Sequence, residues 1–306
     1  MKNIYWYAPD EVFTAFKDRL DNPSFRLRCW HIHQRLLKDG YNSKVVSNIK
    51  DIRNPDIVTL MSFGEEEYDL ANWVKFKRGG HVLHDFCEDI VGIPILEATK
   101  KLCSLIVCCS THLAKEQSSQ YGFKAVVVRD PYEVFPVKHN IESDPKILKV
   151  GWSGMSDNAL FDEILKPVVA NLGMEYVEIS NRPESNHLWE RDSWYHHLAS
   201  CDICLCPQPH WRAMGKSNVK VTTAMSLGLP VLASPIPSYQ EIIVDNVNGY
   251  ICPNIEDWEV NLRKLQNKNK RKDIVKEYEK SLLPYSSENI YLDWLVHVKR
   301  ACNFRR

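Results

Sequence analysis

The sequence predicts an α/β chain of two doubly wound parallel-sheet domains in tandem. Three observations lead there. Short, almost continuously apolar runs alternate with amphipathic stretches along most of the chain, the pattern of parallel strands covered on both faces by crossover helices. The alternation breaks once, over residues 130–146, "DPYEVFPVKHNIESDPK", where three prolines and many polar residues leave no period. The length, 306 residues, accommodates two domains of ordinary size.

The first domain, 1–132, reads as strands "NIYWYA" (3–8), "KVVSN" (44–48), "DIVTLMS" (56–62), "HVLHDF" (81–86), "LIVCCS" (105–110) and "AVVVR" (125–129). Between the first two lies "RLRCWHIHQRLLKDG", where Leu27, Trp30, Ile32, His33, Leu36 and Leu37 approximate one helical face and Gly40 ends the helix. A linker over 133–147 follows. The second domain, 148–280, restarts the alternation with "ILKVGWSG" (147–154), a helix from about Asp157 to Leu172, and "EYVEIS" (175–180). A helix at 194–199, the strand "DICLCP", a helix ending at Gly228, "PVLAS" and "GYIC" (249–252) complete it. The lysine-rich tail is helical from about Ile255, and a last helix occupies 281–306. In such folds ligands bind outside the carboxyl ends of the strands, so two facing domains would bind in the cleft between them.

Composition narrows the function. Thirty-nine basic and thirty-nine acidic side chains cancel, which removes the simplest argument for a polyanionic partner. No apolar run approaches ~20 residues, so no transmembrane segment is expected, and "MKNIYWYAPDEVF" lacks the apolar core of a signal peptide. Ten cysteines without such a signal read as reduced thiols in a cytoplasmic protein. Cys201, Cys204 and Cys206 in "CDICLCP" could suggest a metal. Yet Cys204 and Cys206 alternate with Ile203 and Leu205 at the period of a buried strand, and no second cluster is spaced to complete a site.

Chemistry gathers at strand ends. In "VGWSGMSDN" (150–158), Gly151 and Gly154 permit close backbone approach, and Ser153, Ser156 and Asp157 can cap the next helix or help cradle a phosphate. Arg212, Lys216 and Lys220 recur every four residues, and no carboxylate stands between Asp202 and Glu241. A basic row at a helix start opposes the helix dipole. Either it is a solvated face or it holds an anion, and a diphosphate suits it best. In the first domain, "HVLHDFCEDIV" places His84, Asp85, Glu88 and Asp89 at or beyond a strand's end. They could orient a substrate hydroxyl or form a capped turn and a solvated acidic loop. Arg26 and Arg28 suit an anion or a surface helix equally, and His31, His33, His196 and His197 read as core or surface positions.

"VKVTTAMSLGLPVLASPIPSYQEIIVDNVNGYIC" resembles the carboxyl-terminal signature of retaining glycosyltransferases of the GT-B fold, family-4 type. The likeness runs through Ala224, Met225, Gly228, Pro230, Val231, Ala233, Ser234, Glu241, Ile242, Asn248 and Gly249. "VGWSG", "SWYHHLASCDICLCP" and, more weakly, "SFRLRCWHIHQRLLKDGYNSKVV" and "VLHDFCEDI" extend it over most of residues 1–270. The resemblance implies two Rossmann-like domains facing across a cleft, with the last helix returning to the first domain. It implies transfer of a sugar from a nucleotide-diphosphate donor, a UDP- or GDP-sugar, to an acceptor hydroxyl, with retention and without metal, cofactor or covalent intermediate. The absence of any Asp-x-Asp motif agrees. Ser153, Gly154, Arg212, Lys216, Ser217, Asn218 and Lys220 would line the diphosphate, with Tyr239 and Glu241 by the ribose or sugar. Lys220, His84 and Asp85 would be catalytic, the last two on an acceptor glycan or small molecule. The chain departs from the pattern in two places. Gly215 and Thr223 stand where the family carries a glutamate pair. The usual arginine and lysine after the first strand of the second domain are absent from 155–166, where Lys166 is a poor substitute, so Arg212, Lys216 and Lys220 would supply the phosphate-binding charge. Two other functions share the outline: a bacteriophage-type enzyme acting on hydroxymethylated DNA bases, and a non-catalytic nucleotide-sugar-binding protein. For the former, "KFKRGGH" (75–81), "NKNKRKDIVK" (267–276) and "VKRACNFRR" (298–306), with Trp73 and Phe76 nearby, offer basic clusters.

Overall fold

In the computed structural model the structure describes residues 2–10, 14, 18–87, 93–119, 122–155, 160–208 and 213–303. The chain divides into two compact units, Met1–Pro131 with Ser287–Arg306, and Tyr132–Ser286.

The first unit is a parallel sheet of β1 (Asn3–Tyr7), β2 (Asn42–Val46), β3 (Ile57–Leu60), β4 (His81–Phe86), β5 (Leu105–Cys108) and β6 (Ala125–Val127), ordered β2-β1-β3-β4-β5-β6. Its helices are α1 (His31–Lys38), entered through a π-helical segment Phe25–Trp30, then α2 (Glu65–Asn72), α3 (Pro94–Leu102) and α4 (Thr111–Ser119). A closing helix, Ser287–Asn303, joins the same unit. The strands are apolar because both faces are covered. In β1 the two-residue period sends Ile4 and Trp6 into one core, with Leu36 and Trp294, and Tyr5 and Tyr7 into another, with Leu70 and Val74. Leu27, Ile32, His33 and Leu36 are buried as their spacing predicts, whereas Leu37 is exposed. Gly40 ends α1 at φ +83°, and the amide of Tyr41 bonds back to Leu36 at 2.9 Å.

The second unit contains β7 (Lys149–Gly154), α5 (Leu160–Asn171), β8 (Glu175–Ser180), β9 (His187–Leu188), α6 (Trp194–Ala199) and β10 (Ile203–Cys206). It continues with α7 (Val219–Ser226), β11 (Val231–Ala233), α8 (Pro237–Gln240), β12 (Tyr250–Ile251), α9 (Ile255–Leu265), α10 (Lys268–Val275) and α11 (Tyr278–Leu282). The sheet order is β12-β11-β10-β7-β8-β9. Counted from β7 as the first strand and read from β9, this is the 3-2-1-4-5-6 order, whose ligands sit where strands one and four part. Here that point lies between β7 and β10. Cys204 and Cys206 pair with β11 inside the core, as the alternation predicts.

Residues 133–147, expected as a linker, pack on the second unit. Tyr132, Phe135 and Val137 lie against its core, and Phe135 stacks on Tyr195 at 5.0 Å. Polar residues of the same stretch absorb the basic run 267–276. Lys272 pairs with Glu142 at 2.7 Å, and the fully buried Arg271 pairs with Asp144 at 3.0 Å while donating to the Leu265 carbonyl at 2.8 Å. Among the described residues no helix is long and apolar enough to cross a membrane.

Candidate functional site

The carboxyl ends of β7 and β10 and the start of α7 bring several expected residues together. β7 ends at Ser153 and Gly154, both half-buried. A Cβ on Gly154 would lie 2.8 Å from the Lys220 Nζ and 2.5 Å from the Trp152 ring. Glycine is therefore required by space, not by a turn. Lys220, in the first turn of α7, lays its ammonium over the Trp152 ring at 5.2 Å from the centroid. Its Nζ is shut off from solvent and has no hydrogen-bond partner. Burial lowers its pKa below the ordinary lysine value, and the charge of Lys216 adds to the effect.

Asn218, the N-cap of α7, is buried yet makes no capping bond, and its Oδ1 has no partner. A buried cation and a buried acceptor, both unsatisfied, stand within two residues of each other at a helix start. Such groups are costly unless something completes them. An anion bearing a hydroxyl-rich group would complete both. Lys216 and Ser217 lead into α7 and are half-buried. Arg212, the first member of the basic row, lies outside the described residues, as do Ser156 and Asp157.

Beyond β10 and β11 the expected Tyr239 and Glu241 are joined by Gln208 and Ser238, which sequence reasoning did not name. The amide of Gln208, beyond β10, donates to the Ser234 hydroxyl beyond β11 at 2.8 Å. Tyr239, in α8, is buried and hydrogen-bonds Gln208, and burial raises its phenol pKa well above the usual value. Ser238 presents a buried hydroxyl without a partner. Glu241 follows α8 and is half-buried. At the departure positions, Thr223 is buried inside α7 and Gly215 in its lead-in. Trp152 carried a visible signal, an aromatic residue two before a strand-end glycine; Ser238 carried none.

The acceptor pair is split by the strand. Asp85 and His84 are neighbours in β4, so they point to opposite faces. Asp85 accepts from Arg28 at 2.8 Å and 2.6 Å, and Arg28 also donates to Asp130 at 2.6 Å and to the Val128 carbonyl at 2.7 Å. Arg28 and the Asp85 carboxylate are fully buried. Burial works against the Arg28 charge, but Asp85 and Asp130 raise its pKa well above normal overall. The Asp85 carboxylate is thus taken up by a buried ion pair with Arg28. Arg28 belongs to the same cluster, not to a surface helix. His84 is 1% exposed, bonds to the Ser62 backbone and leaves Nδ1 without a partner. Burial and the nearby Lys100 charge lower its pKa to about 3, so the ring is neutral. Glu88 and Asp89 lie outside the described residues.

Residues 183–268 match the family model described as glycosyl transferases group 1. Solved structures share the fold at low sequence identity. Anabaena HepE in complex with UDP and glucose aligns over 98% of this chain and 100% of its own, at 12% identity and a TM-score of 0.71. Sucrose-phosphate synthase from Thermosynechococcus elongatus aligns over 98% and 99%, at 8% identity and a TM-score of 0.69. A glycosyltransferase from Rickettsia africae covers 99% of each chain at 12% identity, with a TM-score of 0.63. No curated protein matches the chain by sequence.

Proposed function

We propose, from a glycosyl transferases group 1 domain set on a GT-B fold, that this enzyme moves a sugar from a nucleoside-diphosphate donor to an acceptor hydroxyl with retention of configuration. The observation that carries the reading is the Lys220 ammonium, enclosed against Trp152 and Gly154 without an acceptor at the switch point of the second sheet. A diphosphate oxygen supplies that acceptor. As the sugar–phosphate bond breaks, negative charge grows on the leaving phosphate. A cation already fixed in place stabilises that charge without reorganising. The Asn218 Oδ1 receives a hydroxyl of the donor, and Glu241 lies on the ribose or sugar side.

Retention is read from the likeness of residues 219–252 to the signature of retaining glycosyltransferases. The leaving phosphate takes the acceptor proton on the same face, so paired carboxylates of the glycosidase kind are not needed. With the phosphate charge met by Lys220 and Lys216, transfer proceeds without a metal. The donor is a UDP- or GDP-sugar, UDP being favoured by likeness to HepE. Of the basic runs offered for a DNA acceptor, the one at 267–276 has Lys268, Arg271 and Lys272 paired with Glu142 and Asp144.

The test is calorimetric titration with UDP, GDP and their glucose and mannose conjugates, followed by NMR of the product anomer. A donor at 100 times its dissociation constant should stabilise the protein by roughly 2.7 kcal/mol. Slow release of free sugar from the bound donor separates an enzyme from a binding protein. Failure of every nucleotide to bind, an inverted anomer, or activity abolished by EDTA and restored by Mn²⁺ would each overturn the corresponding part.

A further inference from the structure

Two thiols meet where β4 and β5 end, among residues of the first unit that the donor reading does not use. The strands pair in parallel, and their register closes with Phe86 opposite Cys108. The next residue on each strand is a cysteine, Cys87 and Cys109. Adjacent strands run about 4.8 Å apart, within the span of roughly 4.4–6.8 Å between Cα atoms that a disulfide needs. The Cys109 thiol donates to the Cys87 carbonyl at 3.7 Å, and a hydrogen bond links the two thiols. Neither is in a disulfide.

Their surroundings separate an attacking thiol from a resolving one. Among the described cysteines only Cys87 and Cys103 are partly exposed, whereas Cys109 is buried. Cys103 donates to the Thr99 carbonyl at 3.3 Å. The Cys87 thiol donates to the Asp85 carboxylate at 3.9 Å, the same carboxylate that Arg28 holds. Contact with Cys109 and burial raise the Cys87 thiol well above its ordinary value, and Arg28 offsets only part of this. The thiolate is the reactive form, so oxidation is slow at neutral pH and quickens as pH rises. Cys204 and Cys206 give a contrast. They also bond to each other, but both are buried, and they lie on one strand, β10. Two residues of a strand span about 6.6–6.8 Å, the far limit for a bridge.

We propose that Cys87 and Cys109 form a dithiol that hydrogen peroxide converts reversibly to a disulfide, a modification site at the carboxyl end of the first sheet. The Cys87 sulfur attacks the peroxide. Its S–H bond and the O–O bond break, an S–O bond forms, and sulfenic acid and one water result. The Cys109 sulfur then attacks that sulfur, the S–S bond forms, and the hydroxyl leaves with the Cys109 proton as a second water. Two electrons pass from the thiols to the peroxide. The bridge ties β4 to β5 between positions 22 residues apart and removes the proton that Cys87 gives to Asp85.

The full chain, folded and reduced, is treated with a modest excess of hydrogen peroxide at mildly alkaline pH. The remaining thiols are alkylated after unfolding, and the digest is read by mass spectrometry. A peptide pair joined through Cys87 and Cys109 should appear, with the intact chain about 2 Da lighter and dithiothreitol restoring it. Cys204 and Cys206 should remain open to alkylation. In Cys109→Ser, dimedone should trap Cys87 as the sulfenic acid; in Cys87→Ser, Cys109 should survive as a thiol. The cross-link in the unsubstituted protein is read without any variant, and no readout depends on nucleotide binding. Full alkylation of both cysteines after treatment would overturn the proposal. So would a bridge from Cys87 to Cys103 or Cys108, or sulfinic acid at Cys87 in the unsubstituted protein.

Discussion

Replacing Lys220 with methionine should move affinity and stability in opposite directions. Methionine keeps most of the apolar stem and loses the ammonium, together with its cation–π contact to the Trp152 ring. In the free protein that ammonium is sealed from water without an acceptor, a state costing about 1–3 kcal/mol or more for a charged group. The cation–π contact at 5.2 Å returns roughly 0.5–2 kcal/mol of this. The net relief is about 1 kcal/mol, a rise of roughly 2–4 °C in melting temperature for a unit of this size. Donor binding loses a charge-assisted bond worth about 1.5–3 kcal/mol, roughly a 10- to 150-fold rise in Kd. Scanning calorimetry of the free proteins and titration with UDP read the two effects separately. A variant that binds UDP as tightly as the parent would refute the phosphate assignment. One that melts several degrees lower would show that the ammonium has a structural partner after all.

Three further outcomes follow from the same geometry. Gly154→Ala places a methyl 2.5 Å from the buried Trp152 ring and 2.8 Å from Nζ; about 1–3 kcal/mol of overpacking strain should accompany a marked loss of UDP affinity, and titration showing unchanged affinity would remove Gly154 from the site. Asp85→Asn strands part of the Arg28 charge in the core and should cost about 3–5 kcal/mol by urea unfolding with donor Kd unchanged; normal stability with lost turnover would restore an acceptor role. The His84 pKa is about 3 when folded against 6.5 ordinarily, so the unfolded chain takes up its proton first as pH falls. Stability from this residue is complete above about pH 6.5 and drops by roughly 1.4 kcal/mol per pH unit below it, about 2 kcal/mol at pH 5. A His84→Gln variant should lack that increment when urea unfolding at pH 7 and pH 5 is compared with the parent.

The strands were legible because parallel strands buried on both faces must be apolar from end to end. β9 was not, since its two residues, His187 and Leu188, are a polar-flanked pair with no period. The stretch 133–147 looked like a linker from its prolines, yet Phe135 and Arg271's partner Asp144 hold it to a core built from residues distant in sequence. The basic row at α7 could be read from spacing alone; the enclosure of Lys220 could not, because Trp152 lies on β7, far from it in sequence. Likewise β4 predicts that His84 and Asp85 diverge. Nothing local announces that Arg28, 57 residues earlier, claims the carboxylate.

The closing helix makes the first unit discontinuous. Trp294 packs edge-on against Trp6 at 5.2 Å, and the Tyr291 hydroxyl donates to Asp39 at 2.6 Å across 252 residues of sequence. During synthesis the first sheet emerges long before the helix that covers Trp6, whereas the second unit is one unbroken segment. Contacts so distant along the chain carry a high loop-closure cost and form late. The second unit is therefore placed to become native before the closing helix covers the first sheet. The first unit, begun earlier, finishes last, and until then it exposes one apolar sheet face to chaperones.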